Sequence, residues 1–203
     1  MKKNICLALA LAGIASALLS VSAQSTRQDA SAAFQYFLPK DNNSLYNNGF
    51  GGELQYRYWF CDSLALAPAI GASRLNVARQ NEVATGTDGT VDILPLGADV
   101  VVNIADLPPL RINLQAGVRY LFVSSSATAQ NIAGKTVDMS IDNGAVWRVG
   151  LDVDYALTAH LGLFGDAGYQ QDISKQSIST VDGPLRDNTF RAFILELGMR
   201  YRF

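Results

Sequence analysis

From about Ser31 to the end of the chain, apolar side chains recur at every second position in run after run, a period that belongs to strands rather than helices. Eight candidate strands follow, and seven of them keep one parity over most of their length. The fourth, about Val91 to Ile104, carries Leu94, Leu96, Ala98, Val100, Val102 and Ile104 on one face; the fifth carries Leu110, Ile112, Leu114, Ala116, Val118, Tyr120 and Phe122. The sixth repeats the pattern with Trp147, Val149, Leu151, Val153 and Tyr155, and the last with Phe193, Leu195, Leu197, Met199, Tyr201 and Phe203. The third, Leu64 to Val77, loses its apolar face at Arg74 and Asn76, which predicts a bulge or an early departure from the apolar surroundings.

The opposite parity holds the charges: Glu53, Arg57, Asp99, Arg111, Arg119, Arg148, Asp152, Asp154, Asp166, Glu196, Arg200 and Arg202. A soluble closed barrel, such as a lipocalin-like carrier, turns its apolar face inward. A membrane barrel turns it outward, and hydrocarbon admits no open sheet edge, because each unpaired N–H or C=O there costs several kcal/mol. The connections agree with a membrane barrel. Three are short, at about Cys61 to Ser63, Ala105 to Pro109 and Thr158 to Ala159, and they alternate with long ones at Pro39 to Asn48, Ala78 to Thr90, Ser124 to Asn143 and Ser174 to Asn188. Short turns on one side and long loops on the other, with an even strand count, are the habit of outer-membrane barrels. The expected fold is therefore all-β: an eight-stranded antiparallel up-and-down transmembrane β-barrel whose last strand pairs with its first. Inward glycines such as Gly117, Gly150 and Gly198 make room in its narrow interior.

The N-terminal residues divide off a separate segment. Lys2 and Lys3 precede an apolar run from Ile5 to Leu19 and then Ser20-Val21-Ser22-Ala23, which predicts a secretory signal over 1–23 and the barrel over 24–203. The apolar run is too short for a helical span of about 20 residues. Cys6 leaves with that segment and Cys61 stays alone, so a disulfide within the barrel is not expected. With 16 basic and 18 acidic residues in 203, the chain has no basic surface for nucleic acid.

The ending Tyr201-Arg202-Phe203 resembles the C-terminal signal of bacterial outer-membrane barrels, in which Tyr201 and Phe203 are the residues read by the barrel-assembly machinery. Together with the strand pattern it makes the chain similar to the small outer-membrane family of OmpA-like and OmpX-like barrels and related surface antigens. The resemblance implies an outer-membrane location, contact with outer-membrane lipids and lipopolysaccharide, and a monomer. Because the strand pattern runs to the last residue given, the peptidoglycan-binding domain of full-length OmpA-like proteins is not expected, and the resemblance carries over no catalytic residue, cofactor or metal.

For the twelve inward charges the expected role is an ion-pair network that fills the lumen, and for the protein a structural or surface-interaction role; a narrow low-conductance channel is the alternative. A lipid A-modifying enzyme is the third reading, and the sequence disfavours it. The single histidine, His160, follows a short turn with inward parity, and the position two residues on is Gly162 rather than the nucleophilic serine such hydrolases use. Asp99, Asp152 and Asp154 are hard-cation donors in principle, but arginine neighbours make them ion-pair partners instead. A spin label at Leu151 is expected to be accessible to oxygen dissolved in lipid and shielded from aqueous relaxants; the reverse result would invert the barrel.

Overall fold

Backbone hydrogen bonding closes the sheet on itself in the computed structural model, which describes residues 27–40, 46–77, 89–130, 136–173, 176–180 and 183–203. In chain order the strands are β1 (Gln28–Pro39), β2 (Tyr46–Cys61), β3 (Leu64–Val77), β4 (Thr90–Leu107), β5 (Leu110–Ser125), β6 (Thr128–Gln130), β7 (Thr136–Ile141), β8 (Gly144–Ala156), β9 (Leu161–Asp172), β10 (Gln176–Thr180), β11 (Gly183–Asn188) and β12 (Arg191–Arg202). Eight of them form the barrel in the order β1-β12-β9-β8-β5-β4-β3-β2, and β1 closes it by pairing antiparallel with β12 from Asp29↔Arg202 to Pro39↔Ala192. The expected fold and closure are both present. The segment over 1–23 lies outside the described residues.

Side-chain exposure gives the orientation. Leu197 is 68% exposed and Leu54 60%, whereas Arg57 and Arg200 are 1% exposed. A continuous apolar outer wall of this kind is stable only against hydrocarbon. Aromatics gather towards its two ends. Tyr58–Phe60 and Tyr201–Phe203 meet edge-on at 5.2 Å at the end of the short turns, and Trp147, Tyr169 and Phe193 form a chain with spacings of 5.5 and 5.4 Å towards the end of the long loops. These are the amphipathic belts expected at membrane–water interfaces.

Three sequence expectations need correcting. First, of the two expectations for β3 the bulge is absent, which leaves the early departure from the apolar surroundings: its pairing with β4 keeps one register from Leu64↔Val102 to Asn76↔Thr90, and the register shifts fall in its neighbours, between Tyr46 and Gly49, Trp59 and Cys61, and Asn103 and Ala105. Arg74 stays on the outer face because Asp92 stands directly opposite and takes its guanidinium side-on, at 2.6 and 2.9 Å. Second, two of the long connections are not simple loops. They fold into a second antiparallel sheet in the order β11-β10-β7-β6, whose alternation of Val137, Met139 and Ile141 turns a face inward. Third, His160 does not enter the lumen. It is exposed in the turn before β9, stacked on Tyr201 at 6.0 Å, with Nδ1 2.9 Å from the Arg202 carbonyl oxygen.

The interior is layered along the barrel axis. At the turn end Trp59 packs with Ala65, Ala67 and Val101, and its indole N–H donates to Asp29 at 2.7 Å. The middle is ionic. Towards the loop end the inward positions become apolar, with Phe37, Leu75, Val91, Ile93, Leu121, Val146 and Ile194, and Met139, Ile141 and Ile178 of the second sheet cover them. Tyr46 meets Phe190 edge-on at 4.9 Å there and donates its hydroxyl to Gln176 at 2.8 Å. Two gaps at prolines interrupt the wall: the pairs Gly71–Pro95 and Ala72–Leu94 are missing from the β3–β4 ladder, and Tyr56–Pro68 and Arg57–Ala67 from the β2–β3 ladder, since proline has no N–H to give.

Candidate functional site

A closed ring of eight strands has an interior just wide enough for its own side chains, so every long inward residue needs a short one beside it. The registers supply that match. Arg148 faces Gly117 across β5–β8, Arg119 faces Gly97 across β4–β5, Gln115 faces Gly150, and Glu53 faces Ala33 and Gly71. A Cβ added at Gly150 would meet an Asp166 carboxylate oxygen at 2.7 Å, and one at Gly97 would meet the Arg119 Cδ at 2.8 Å. The glycines therefore hold the space that the ionic side chains occupy.

Ten of the twelve expected lumen charges are buried together, in two linked layers. In the layer nearer the loops, Arg148 reaches Glu196 at 2.6 Å, Asp166 at 2.7 Å and Glu53 at 3.6 Å. Arg119 grips Asp99 end-on through both amino groups, at 2.7 and 2.6 Å, and lies 3.3 Å from Glu53. In the layer nearer the turns, Asp152 accepts from Arg57 at 3.1 Å and from Arg200 at 2.9 Å, and Arg200 also reaches Asp154 at 2.9 Å while its guanidinium lies 4.4 Å from the Phe164 ring centre. Four carboxylates face two guanidiniums in the first layer, and the second has the opposite imbalance once Arg202 is included, so the layers attract one another.

Amides that the charge pattern does not reveal join the layers. Gln55 donates to Asp99 at 3.1 Å and accepts from Arg57 at 2.7 Å; Gln115 donates to Asp166 at 2.8 Å; Gln35 donates to Glu196 at 2.8 Å; Asn113 donates to Asp152 at 2.6 Å. All have the parity of the charged residues, which is the signal that identifies them. Above the first layer a cavity of about 20 Å³ is bordered by Gln35, Ser73 and Arg148, enough for about one water molecule.

Arg111 departs from the expected network because it finds a carboxylate at the turn-end mouth, and Arg202 joins the second layer only from that mouth. Arg111 stands opposite Asp106 in its own hairpin and bonds it at 2.5 Å, half in solvent, and Arg202 reaches Asp154 at 2.8 Å with its side chain partly exposed. Asp29, held by Trp59 and by Arg27 at 3.3 Å, belongs to the same mouth. Tyr201 and Phe203 lie on the outer face of the closing strand, both exposed, and the Phe203 N–H donates to the Gln28 carbonyl at 3.0 Å. Among the described residues no group of histidine, cysteine or carboxylate side chains is arranged to hold a metal.

The ring order shows what the network does. β2 and β8 are four strands apart around the ring of eight, so Arg57–Asp152 and Glu53–Arg148 join opposite walls. Guanidinium–carboxylate pairs thus cross the whole diameter at two levels.

No protein-family profile matches the chain, and no curated protein sequence does. Solved structures match its fold. The outer membrane protein OprG from Pseudomonas aeruginosa aligns with a TM-score of 0.64 at 14% identity, over 89% of this chain and 97% of that one. A major outer membrane protein from Thermus thermophilus gives 0.59 at 19% identity, over 89% and 100%. Neisserial surface protein A gives 0.53 at 19% identity, over 90% and 99%. The chain has the fold of the small eight-stranded outer-membrane barrels, and fold by itself does not assign a role.

Replacing Arg148 by Met leaves Glu53, Asp166 and Glu196 without their shared cation, and should destabilise the barrel by about 3–5 kcal/mol in urea unfolding from lipid bilayers. Adding Glu196→Gln should recover part of that loss. Strictly additive effects would show that the two side chains are not coupled.

Proposed function

We infer that this barrel, which shares its fold with small outer-membrane proteins and presents an apolar wall to lipid, is a monomeric structural and surface-interaction protein closed to ions. The observation that carries the reading is the pair of ionic contacts across the full diameter, Arg57–Asp152 and Glu53–Arg148. An ion moving along the axis would have to separate both pairs and then pass the apolar layer around Leu75, Val91 and Ile194. The role then falls to the loop end, where the sheet β11-β10-β7-β6 is anchored by Met139, Ile141 and Ile178 and is the part of the molecule offered to the outside. A non-catalytic role is part of the proposal, and the engagement of His160 with Tyr201 and the Arg202 carbonyl speaks for it.

A second reading is favoured by the interrupted β3–β4 ladder. Ser73, Ile93 and Pro95 border the small internal cavity, and the same stretch of wall has lost its pairing at Gly71–Pro95 and Ala72–Leu94. Passage there would run sideways between lumen and bilayer, and would suit a small apolar solute rather than an ion. In planar bilayers the purified protein is expected to produce no stable current steps from low to high salt, and reproducible steps would overturn the closed reading. Pro95→Ala returns an N–H to the ladder. It should slow any entry of an apolar dye into protein-containing liposomes, and an unchanged rate would remove the sideways route.

A further inference from the structure

On the outer wall, the registers set the residues of five strands in rows, and two adjacent rows make an unusual pair. One reads Phe34, Gly52, Ala72, Leu94 and Phe122 from β1 to β5; the row beyond it, towards the loops, holds Phe50, Arg74, Asp92 and Ser124. Large, small, small, large, large is the profile of a trench. Its floor is Ala72 and the backbone of Gly51, its sides are Phe34 and the Leu94–Phe122 pair, and Phe34 stacks on Phe50 at 6.5 Å. The row on the turn side fills the same width with Leu54, Ile70, Leu96 and Tyr120, so the depression is confined to one level. A groove of about 670 Å³ occupies this place, within the roughly 300–1,000 Å³ of small-molecule sites. Gly52, beside that floor, helps keep it low: a Cβ there would meet the Ala33 carbonyl oxygen at 3.2 Å, a tight contact.

We propose that this groove binds one acyl chain of a phosphorylated glycolipid of the outer leaflet, with a lipid phosphate held by Arg74. The groove belongs to the lipid-facing parity, so hydrocarbon fills it. Apolar shape alone selects nothing there, because one lipid tail is as apolar as another. Selection comes from the rim. Asp92 engages Nε and one amino group of Arg74 side-on, at 2.6 and 2.9 Å, which fixes the guanidinium plane and leaves the second amino group free among the described residues. A phosphate oxygen is the complementary acceptor for that edge. The Arg74–Asp92 row is also where the outer wall changes from apolar to polar, the depth at which a head group sits while its chain runs down into the groove. This inference rests on the membrane placement and on neither reading of the lumen.

The test uses the full barrel in phosphatidylcholine nanodiscs doped with lipid A, released into mild detergent and weighed by native mass spectrometry. The wild type is expected to retain one lipid A in preference to phosphatidylcholine. Arg74→Gln, at an exposed position that leaves the core intact, should lower the lipid A adduct about tenfold, the value of one charge-assisted contact. Ala72→Trp fills the floor and should lower it similarly, whereas Leu151→Trp on the far wall should not. Equal retention of the two lipids, or an adduct unchanged by both Arg74→Gln and Ala72→Trp, would overturn the proposal. A protein that does not enter nanodiscs at all would instead overturn the membrane placement.

Discussion

Hydrocarbon offers a peptide group no hydrogen-bond partner, and this constraint governs the rest of the molecule. A strand that crosses the bilayer must pair on both sides, so the first and last strands have to find each other across the whole sequence. β1 and β12 do so along eleven consecutive residue pairs. Closure fixes the circumference, the circumference fixes the width of the interior, and the width decides which side chains fit there. The apolar outer wall then follows from the strand period, since each step along a strand alternates between lipid and lumen.

Inside, the narrow lumen turns polar parity into a network. Removing ionic groups from water is expensive, and an ion pair in such a place adds little net stability over an apolar filling of the same volume. Its consequence here is geometric. Each guanidinium fits only where a glycine or alanine stands beside it, as Arg148 does next to Gly117 and Arg119 next to Gly97, so the pairs define one arrangement of the strands and span the lumen while doing so. Gln55 and Gln115 bind the two layers into a single unit, because an amide can donate to a carboxylate and accept from a guanidinium at once.

Towards the loops the same inward parity carries Leu75, Val91, Leu121 and Ile194 instead of charges, and the sheet built from β6, β7, β10 and β11 lies over them. The change of character is a matter of what covers the lumen: ionic groups can satisfy one another across the axis, whereas apolar ones need an apolar lid. The outer wall shows a comparable change one row from its end, where Arg74 and Asp92 replace aliphatic residues and close an ion pair on the lipid side.

Period, parity and connection length were enough to read the barrel from the chain, because in a bilayer they follow from the two-residue repeat of a strand and the need for closed pairing. They also separated lumen from lipid face residue by residue, so Glu53, Arg57, Asp152 and Arg200 were recognisable as interior groups. The interruption at Arg74 was visible too, but its meaning was not, since Asp92 stands opposite only once the β3–β4 register is set. Met139 and Ile141 alternate in a segment whose polar neighbours concealed a strand. Tertiary structure alone decided who meets whom. Gln35 and Glu196 are 161 residues apart in sequence, and Arg57 meets Asp152 only because their strands stand opposite in a ring of eight. The face a residue takes is a local property of its own strand, whereas its partner depends on the register and stagger of every strand between them.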